Sequence, residues 1–218
     1  HSDLHVLDHG ALGFHGPFTL GHENAGWVAA LGAGVSGWKE GDPVAVYGFW
    51  GCGHCHACLL SMESYCENAE HLPNNGGGIG TDGGMAEYML VPSPRLLVPL
   101  GTLAPRDAAP LTDAALTPYH AIKRGLHLLT PDATVVVIGV GGLGHMAVQL
   151  LRVLCGARVV AVDLDERKLE HARQLGADLT VNSRNAAEAA ETINAFTGRR
   201  KAAMVLDFVG IQPTLDLA

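Results

Sequence analysis

Apolar positions follow two different rhythms along this chain. Between residues 20 and 100 they come as short runs broken by Gly and Pro, as in 26–32 (GWVAALG), 42–47 (DPVAVY) and 85–91 (MAEYMLV). That spacing predicts a compact β-rich domain with long loops. After residue 107 the rhythm changes. A helix is predicted over 108–124, followed by strands over 134–138, 158–162, 178–181 and 203–207 that alternate with helices over 143–155, 166–175 and 186–197. Such alternation predicts a parallel sheet with crossover helices. The change places a domain boundary near residue 112, giving a β-rich domain over 1–112 and an α/β domain over 113–218. There is no internal repeat and no low-complexity tract.

Composition narrows the class. At 218 residues there is room for one large domain or two ordinary ones. An apolar share of 48% with only 17% charged residues excludes long disorder. The 28 glycines show no G-X-Y period, which excludes collagen and implies many special backbone turns. The formal charge of -8 is one-sided: residues 1–112 hold 3 of the 14 basic and 11 of the 22 acidic residues, leaving 11 of each for 113–218. Nucleic acid is thereby excluded as a partner, because phosphate contact needs clustered Lys and Arg. The same acidic half carries eight of the 12 histidines (1, 5, 9, 15, 22, 54, 56, 71) and four of the five cysteines, a concentration that metal binding explains.

The uncharged stretch 133–151 is long enough to suggest a membrane span, but its glycines point elsewhere. The β-branched run 135–138 leads directly into Gly139-Val140-Gly141-Gly142-Leu143-Gly144, a G-x-G-x-x-G turn between a predicted strand and a predicted helix. Gly139 allows the tight turn, Gly141 lets a pyrophosphate approach the backbone, and Gly144 lets helix pack on strand. The helix N-terminus, with Gly142 and Leu143, offers free N–H groups and the positive end of a dipole to phosphates. Asp163 ends the next strand, nineteen residues after Gly144. A carboxylate there accepts hydrogen bonds from ribose hydroxyls and repels a 2′-phosphate, so NAD is expected over NADP.

Cys52, Cys55, Cys58 and Cys66 place four thiols within fifteen residues. Four soft ligands on one loop suit a closed tetrahedral zinc site that stabilises folding and leaves no open position for chemistry. The main rival is an iron–sulfur cluster, whose bacterial pattern also begins C-x2-C-x2-C but continues x3-C-P, whereas here the gap is seven and Glu67 follows Cys66. Disulfides are a third option, disfavoured by three cysteines at intervals of three and by a reducing, cytoplasmic setting. Cys155, in an apolar helical pattern, reads as a core residue, and His54 and His56 read as loop residues beside the four thiols.

Taken in order, Gly21-His22-Glu23 with Gly26, Gly41-Asp42-x-Val44, the four-cysteine loop and the glycine turn resemble the zinc-dependent medium-chain alcohol dehydrogenases, through essentially the whole chain. Asp113, in Pro110-Leu111-Thr112-Asp113-Ala114, resembles the bacterial secondary-alcohol branch of that family. The resemblance implies a GroES-like catalytic domain followed by a partial Rossmann domain with a doubly wound parallel sheet. It implies NAD and two zinc sites as cofactors, a catalytic zinc on His22 and Asp113 with Glu23 as an occasional ligand, and a structural zinc on the four cysteines. Asp3 is implied as the partner that fixes the tautomer of His22. Ser2 is implied as the hydroxyl that takes the alcohol proton, and His5 as the outer end of that relay. His1 would lie near the pyrophosphate, Lys168 by the adenosine ribose and Val209 at the nicotinamide. Trp50 is expected in the substrate pocket.

The chain opens on His1 without Met and closes soon after a strand-like run, so a piece of a longer protein is expected. The residue before His1 is expected to be the third catalytic-zinc ligand, a Cys. Such a piece would be inactive alone, while the longer protein would be a cytoplasmic homodimer or homotetramer that oxidises small alcohols. Other zinc dehydrogenases of the same family, acting on polyols, formaldehyde adducts or aromatic alcohols, remain alternatives, as does a non-catalytic NAD- or zinc-binding protein.

Overall fold

A computed structural model describes residues 2–9, 17–72 and 76–218. The chain divides into two compact units, His1–Asp113 and Ala114–Ala218.

In the first unit, helix α1 (Ser2–His9) precedes strand β1 (Ala25–Trp27) and strand β2 (Pro43–Val46). The four-cysteine loop then carries the short helix α2 (His56–Leu59), and strand β3 (Leu97–Pro99) and helix α3 (Pro105–Ala108) follow. The three strands form an antiparallel sheet in the order β1-β2-β3, with Gly26 opposite Val44 and Ala45 opposite Val98. The central strand is the best buried, and Val46 leads into a small core with Trp50 and Leu96. Residues 85–91, expected as a strand, form none. Met89 and Val91 pack on that core while Met85, Tyr88 and Leu90 stay exposed, so a strand's alternation survives only over 88–91, and among the described residues it forms no ladder. Its start is tied to a distant stretch of chain, Gly84 N–H to the carbonyl of Gly21 and Met85 N–H to that of Leu20.

The helix expected over 108–124 is broken. Pro110 supplies no N–H to continue α3, and the chain tightens into a 3-10 turn, Ala109–Thr112, that ends at Asp113 with φ −140° and ψ −62°. Helix α4 (Leu116–Gly125) starts afresh in the second unit, with Pro118 tolerated in its first turn.

The second unit then alternates strand and helix: β4 (Thr134–Ile138), α5 (Gly142–Leu154), β5 (Arg158–Asp163), α6 (Glu166–Gln174), β6 (Leu179–Asn182), α7 (Ala186–Thr197), β7 (Met204–Asp207) and α8 (Gln212–Leu217). All strand pairs are parallel, in the order β6-β5-β4-β7. Side chains alternate across the sheet. Val135, Val137, Val159 and Ala161 meet Ala147, Val148 and Leu151 of α5 and Leu169 and Ala172 of α6. Val136, Ile138, Val160 and Val162 face the other way, against Ala189, Ile193 and Phe196 of α7. A sheet covered on both faces accounts for strands that read as unbroken Val and Ile. Asp165 and Asn185 cap α6 and α7 by accepting the N–H groups of Arg167 and Glu188. The apolar stretch 133–151 is thus strand, turn and helix, and among the described residues no helix is long and apolar enough to cross a membrane.

Candidate active site and metal centre

In the first unit, the four cysteine sulfurs converge from both ends of the loop, all within 4.8 Å of one another. Cys52 Sγ lies 3.9 Å from Cys58 Sγ, and Cys55 Sγ lies 4.0 Å from Cys66 Sγ. Four thiolates at about 2.3 Å from a single tetrahedral ion would stand about 3.8 Å apart. The set therefore fits one ion. A multi-iron cluster would hold the sulfurs further apart, and a disulfide would bring two of them to about 2.05 Å. Backbone N–H groups of Cys52 and Cys55 point at Cys66 Sγ and Cys52 Sγ, each at 3.3 Å, and the Asn68 amide reaches Cys52 Sγ at 3.4 Å. The backbone N–H of His54 and the Asn68 amide hold the Cys52 thiol down at about 5, whereas burial among the other sulfurs pushes Cys58 up to about 12. His54 and His56 stay outside the group.

A second site forms where α1 meets the Gly21-His22 turn. Gly21 adopts φ +99°, a left-handed bend that suits glycine, and its N–H donates to Asp3 Oδ1 at 3.0 Å. The Asp3 carboxylate also lies 3.2 Å from His22 Nδ1, while His22 Nε2 faces Asp113 Oδ2 at 3.4 Å. With Nδ1 donating to Asp3, Nε2 is the nitrogen left to bind a metal. The hydrogen bond with Asp113, reinforced by the nearby charge of Asp3, raises the His22 pKa against the effect of burial, so a metal must displace a proton there. Asp113 reaches His22 because the 3-10 turn releases it from the helix, and the cap of α4 is Ala115, without a side-chain hydrogen bond.

His22 and Asp113 form the polar end of a cavity of about 180 Å³ walled by Gly48, Phe49, Ile79 and Thr112. Trp50, expected there, instead lies in the core at 5% exposure and donates its indole N–H to the Tyr47 carbonyl at 2.9 Å, so Phe49 takes the wall position. Glu23 is exposed, and His22, Glu23 and Asp113 do not form a convergent donor set among the described residues. Ser2 and His5 are exposed and one turn apart on α1, on either side of Asp3 along the chain. Neither is among the described residues lining the cavity. His1 lies outside the described residues.

In the second unit, the glycine turn sits at the C-terminal end of β4, where the strand order reverses between β5 and β7. Gly139 has φ +81°, and a β-carbon on it would collide with Val209 Cγ2. A β-carbon on Gly144 would strike the Gly139 carbonyl oxygen. Gly141 and Gly142 differ, for a β-carbon on either would meet nothing within 4 Å. That open space leaves room for a pyrophosphate to approach the backbone. Asp163, 10% exposed at its side chain, accepts from Val140 N–H at 2.9 Å and from Leu164 and Asp165 N–H at 2.8 and 3.0 Å. An ionised carboxylate has about four acceptor positions, so about one remains for a ribose hydroxyl. Lys168 Nζ stands 3.9 Å from Asp163 Oδ1. Val209 covers Gly139, its N–H held by Asp207 Oδ1 at 2.8 Å.

Two histidines without a sequence motif of their own also stand beside the glycine turn. The backbone N–H and Nδ1–H of His145 both donate to the Gly141 carbonyl, at 3.0 and 2.8 Å, and the His171 ring stands 5.8 Å from that of His145. Both histidines line a cleft of about 460 Å³ with Val140, Gly141 and Lys168. The i+4 spacing from Gly141 is the only sequence signal for the first of these contacts.

Comparison with known proteins decides the family. Residues 1–102 match the family model of the alcohol dehydrogenase GroES-like domain, and residues 142–218 match that of zinc-binding dehydrogenases. The chain belongs to the zinc-dependent medium-chain alcohol dehydrogenase family. An NAD-dependent alcohol dehydrogenase of Sulfurisphaera tokodaii is 39% identical over 207 residues, covering 94% of this chain and 57% of that protein. An alcohol dehydrogenase of Geobacillus stearothermophilus is 39% identical over 188 residues, 85% of this chain and 53% of that one. Among solved structures, the alcohol dehydrogenase of Aeropyrum pernix superposes with a TM-score of 0.87 at 39% identity, over 99% of this chain and 62% of that one. A D-arabinose dehydrogenase of Sulfolobus solfataricus gives 0.87 at 34% identity, over 99% and 66%. The chain spans about half the length of the curated relatives it matches.

Proposed function

We propose that the protein carrying this chain is an NAD- and zinc-dependent alcohol dehydrogenase that oxidises primary or secondary alcohols to aldehydes or ketones. The observation that carries the proposal is His22, held on one nitrogen by Asp3 and facing Asp113 with the other at the end of an apolar cavity. When bound, zinc supplies Lewis acidity toward an alcohol hydroxyl and the dinucleotide supplies the hydride acceptor.

The chain's residues do the rest. His22 and Asp113 donate to the catalytic metal, with Glu23 next in sequence as an occasional ligand, and Asp3 keeps Nε2 of His22 in its metal-binding form. Phe49 and Ile79 orient the carbon skeleton and exclude water. Ser2 takes the alcohol proton and His5 passes it to solvent, both carried by the helix that Asp3 anchors. The four cysteines hold a second, structural zinc. In the second unit, Gly141, Gly142 and Leu143 cradle the pyrophosphate, Asp163 and Lys168 hold the ribose, and Val209 borders the nicotinamide. Small alcohols are the substrates, and the cytoplasm and a homodimer or homotetramer are the setting we propose.

Cofactor choice tests this assignment. Asp163→Gly in the native protein removes the ribose acceptor together with three internal backbone bonds, so kcat/KM with NAD is expected to fall at least about tenfold while that with NADP falls less. Steady-state kinetics with both cofactors reads the ratio. An unchanged preference would remove Asp163 from the cofactor site.

A further inference from the structure

We propose that Arg95 is a positioning residue that couples the four-cysteine centre to the wall of the substrate pocket. The proposal rests on the reading of both sites given above, but its geometry is independent of that reading.

One short piece of chain joins the two sites. From β2 it runs through Tyr47 to Gly48 and Phe49 in the cavity wall, then to buried Trp50, then to Gly51 and the first ligand, Cys52. Both ends of this piece are held by adjacent residues. Leu96, 1% exposed, takes the Tyr47 N–H on its carbonyl at 2.8 Å, and Arg95 Nη2 donates to the carbonyl of Gly51. Between these two points the Trp50 indole closes back on Tyr47, so Gly48 and Phe49 have little freedom of their own.

Arg95 also grips the metal loop from the other side. Its Nη1 pairs at 3.1 Å with Glu63 Oε1, which belongs to the stretch between Cys58 and Cys66. Glu63 is 10% exposed at its side chain, and its second oxygen is buried without a hydrogen-bond partner among the described residues. A carboxylate so placed depends on the Arg95 guanidinium beside it. Gly51 is packed between these groups: a β-carbon there would collide with Cys58 Sγ and come within 3.0 Å of Glu63 Cγ. Any loosening of the cysteine loop therefore reaches Gly51, and through it Phe49.

The test uses the native protein and three variants, Arg95→Met, Arg95→Lys and Glu63→Gln. Zinc release to a colorimetric chelator is expected to be about tenfold faster in Arg95→Met, in line with the loss of charged hydrogen bonds. Its KM for alcohol should rise about threefold or more while its KM for NAD is unchanged. Arg95→Lys, which keeps the charge but cannot span both acceptors, should fall between, and Glu63→Gln should speed zinc release if Arg95→Met fails to fold. Native zinc-release rates in the variants, or equal rises in both KM values, would overturn the proposal. Absence of alcohol turnover in the native protein would instead strike at the proposed function and leave the zinc-release comparison standing.

Discussion

Cys58→Ser is expected to cost the first unit one zinc and much of its stability. Cys58 is buried, its thiol is pushed up to about 12 without metal, and its sulfur fills the space beside Gly51. The loop around it has one four-residue helix and two 3-10 turns, and its own buried cluster consists of Cys55, Cys58 and Cys66. Beside the sulfurs, the apolar packing among the described residues amounts to partly buried Ala57, Ala69 and Leu72. Structural zinc binding is worth on the order of 10 kcal/mol in small domains, so losing one of four thiolates removes several. A melting temperature lower by about 10 °C or more is expected, with metal analysis showing one zinc fewer per chain. Unchanged metal content and melting temperature would mean that the four sulfurs converge for another reason.

His22→Ala is expected to abolish turnover while leaving the cofactor site and the cysteine centre alone. The imidazole bridges Asp3 and Asp113, and without it the Asp113 carboxylate faces the apolar cavity without the nitrogen that would complete a metal site. kcat should fall by about a thousandfold or more, which corresponds to about 4 kcal/mol of lost transition-state stabilisation. NADH binding, read by fluorescence titration, should stay native, because the glycine turn belongs to the other unit. Metal analysis should find the cysteine zinc retained. Residual turnover within tenfold of native would remove His22 from the chemistry.

The second unit is largely legible in the sequence, for physical reasons. Its strands are buried on both faces, so Val135–Ile138 and Val159–Val162 leave no polar alternation to misread, and Asp165 and Asn185 mark helix starts by a local side-chain bond. The cysteine spacing is legible because its ligands sit on one loop. What escapes depends on contacts between distant residues. Residues 85–91 read as an apolar run but form no ladder among the described residues, and Asp113 leaves its helix because Pro110 breaks the hydrogen bonding behind it. Phe49 and Trp50 are neighbours of similar chemistry. Only the bond from Trp50 to the Tyr47 carbonyl decides which of them enters the core. The pairing of Arg95 with Glu63 spans 32 residues and has no local signature.

The proposed function requires alcohol oxidation in which NAD takes the hydride and zinc must be bound. The most direct measurement follows NADH formation by the native protein with primary and secondary alcohols, before and after removal of its metal. Turnover that disappears with the metal and returns with added zinc is the expected result. NAD reduction indifferent to the metal, or no reduction with any alcohol, would contradict it.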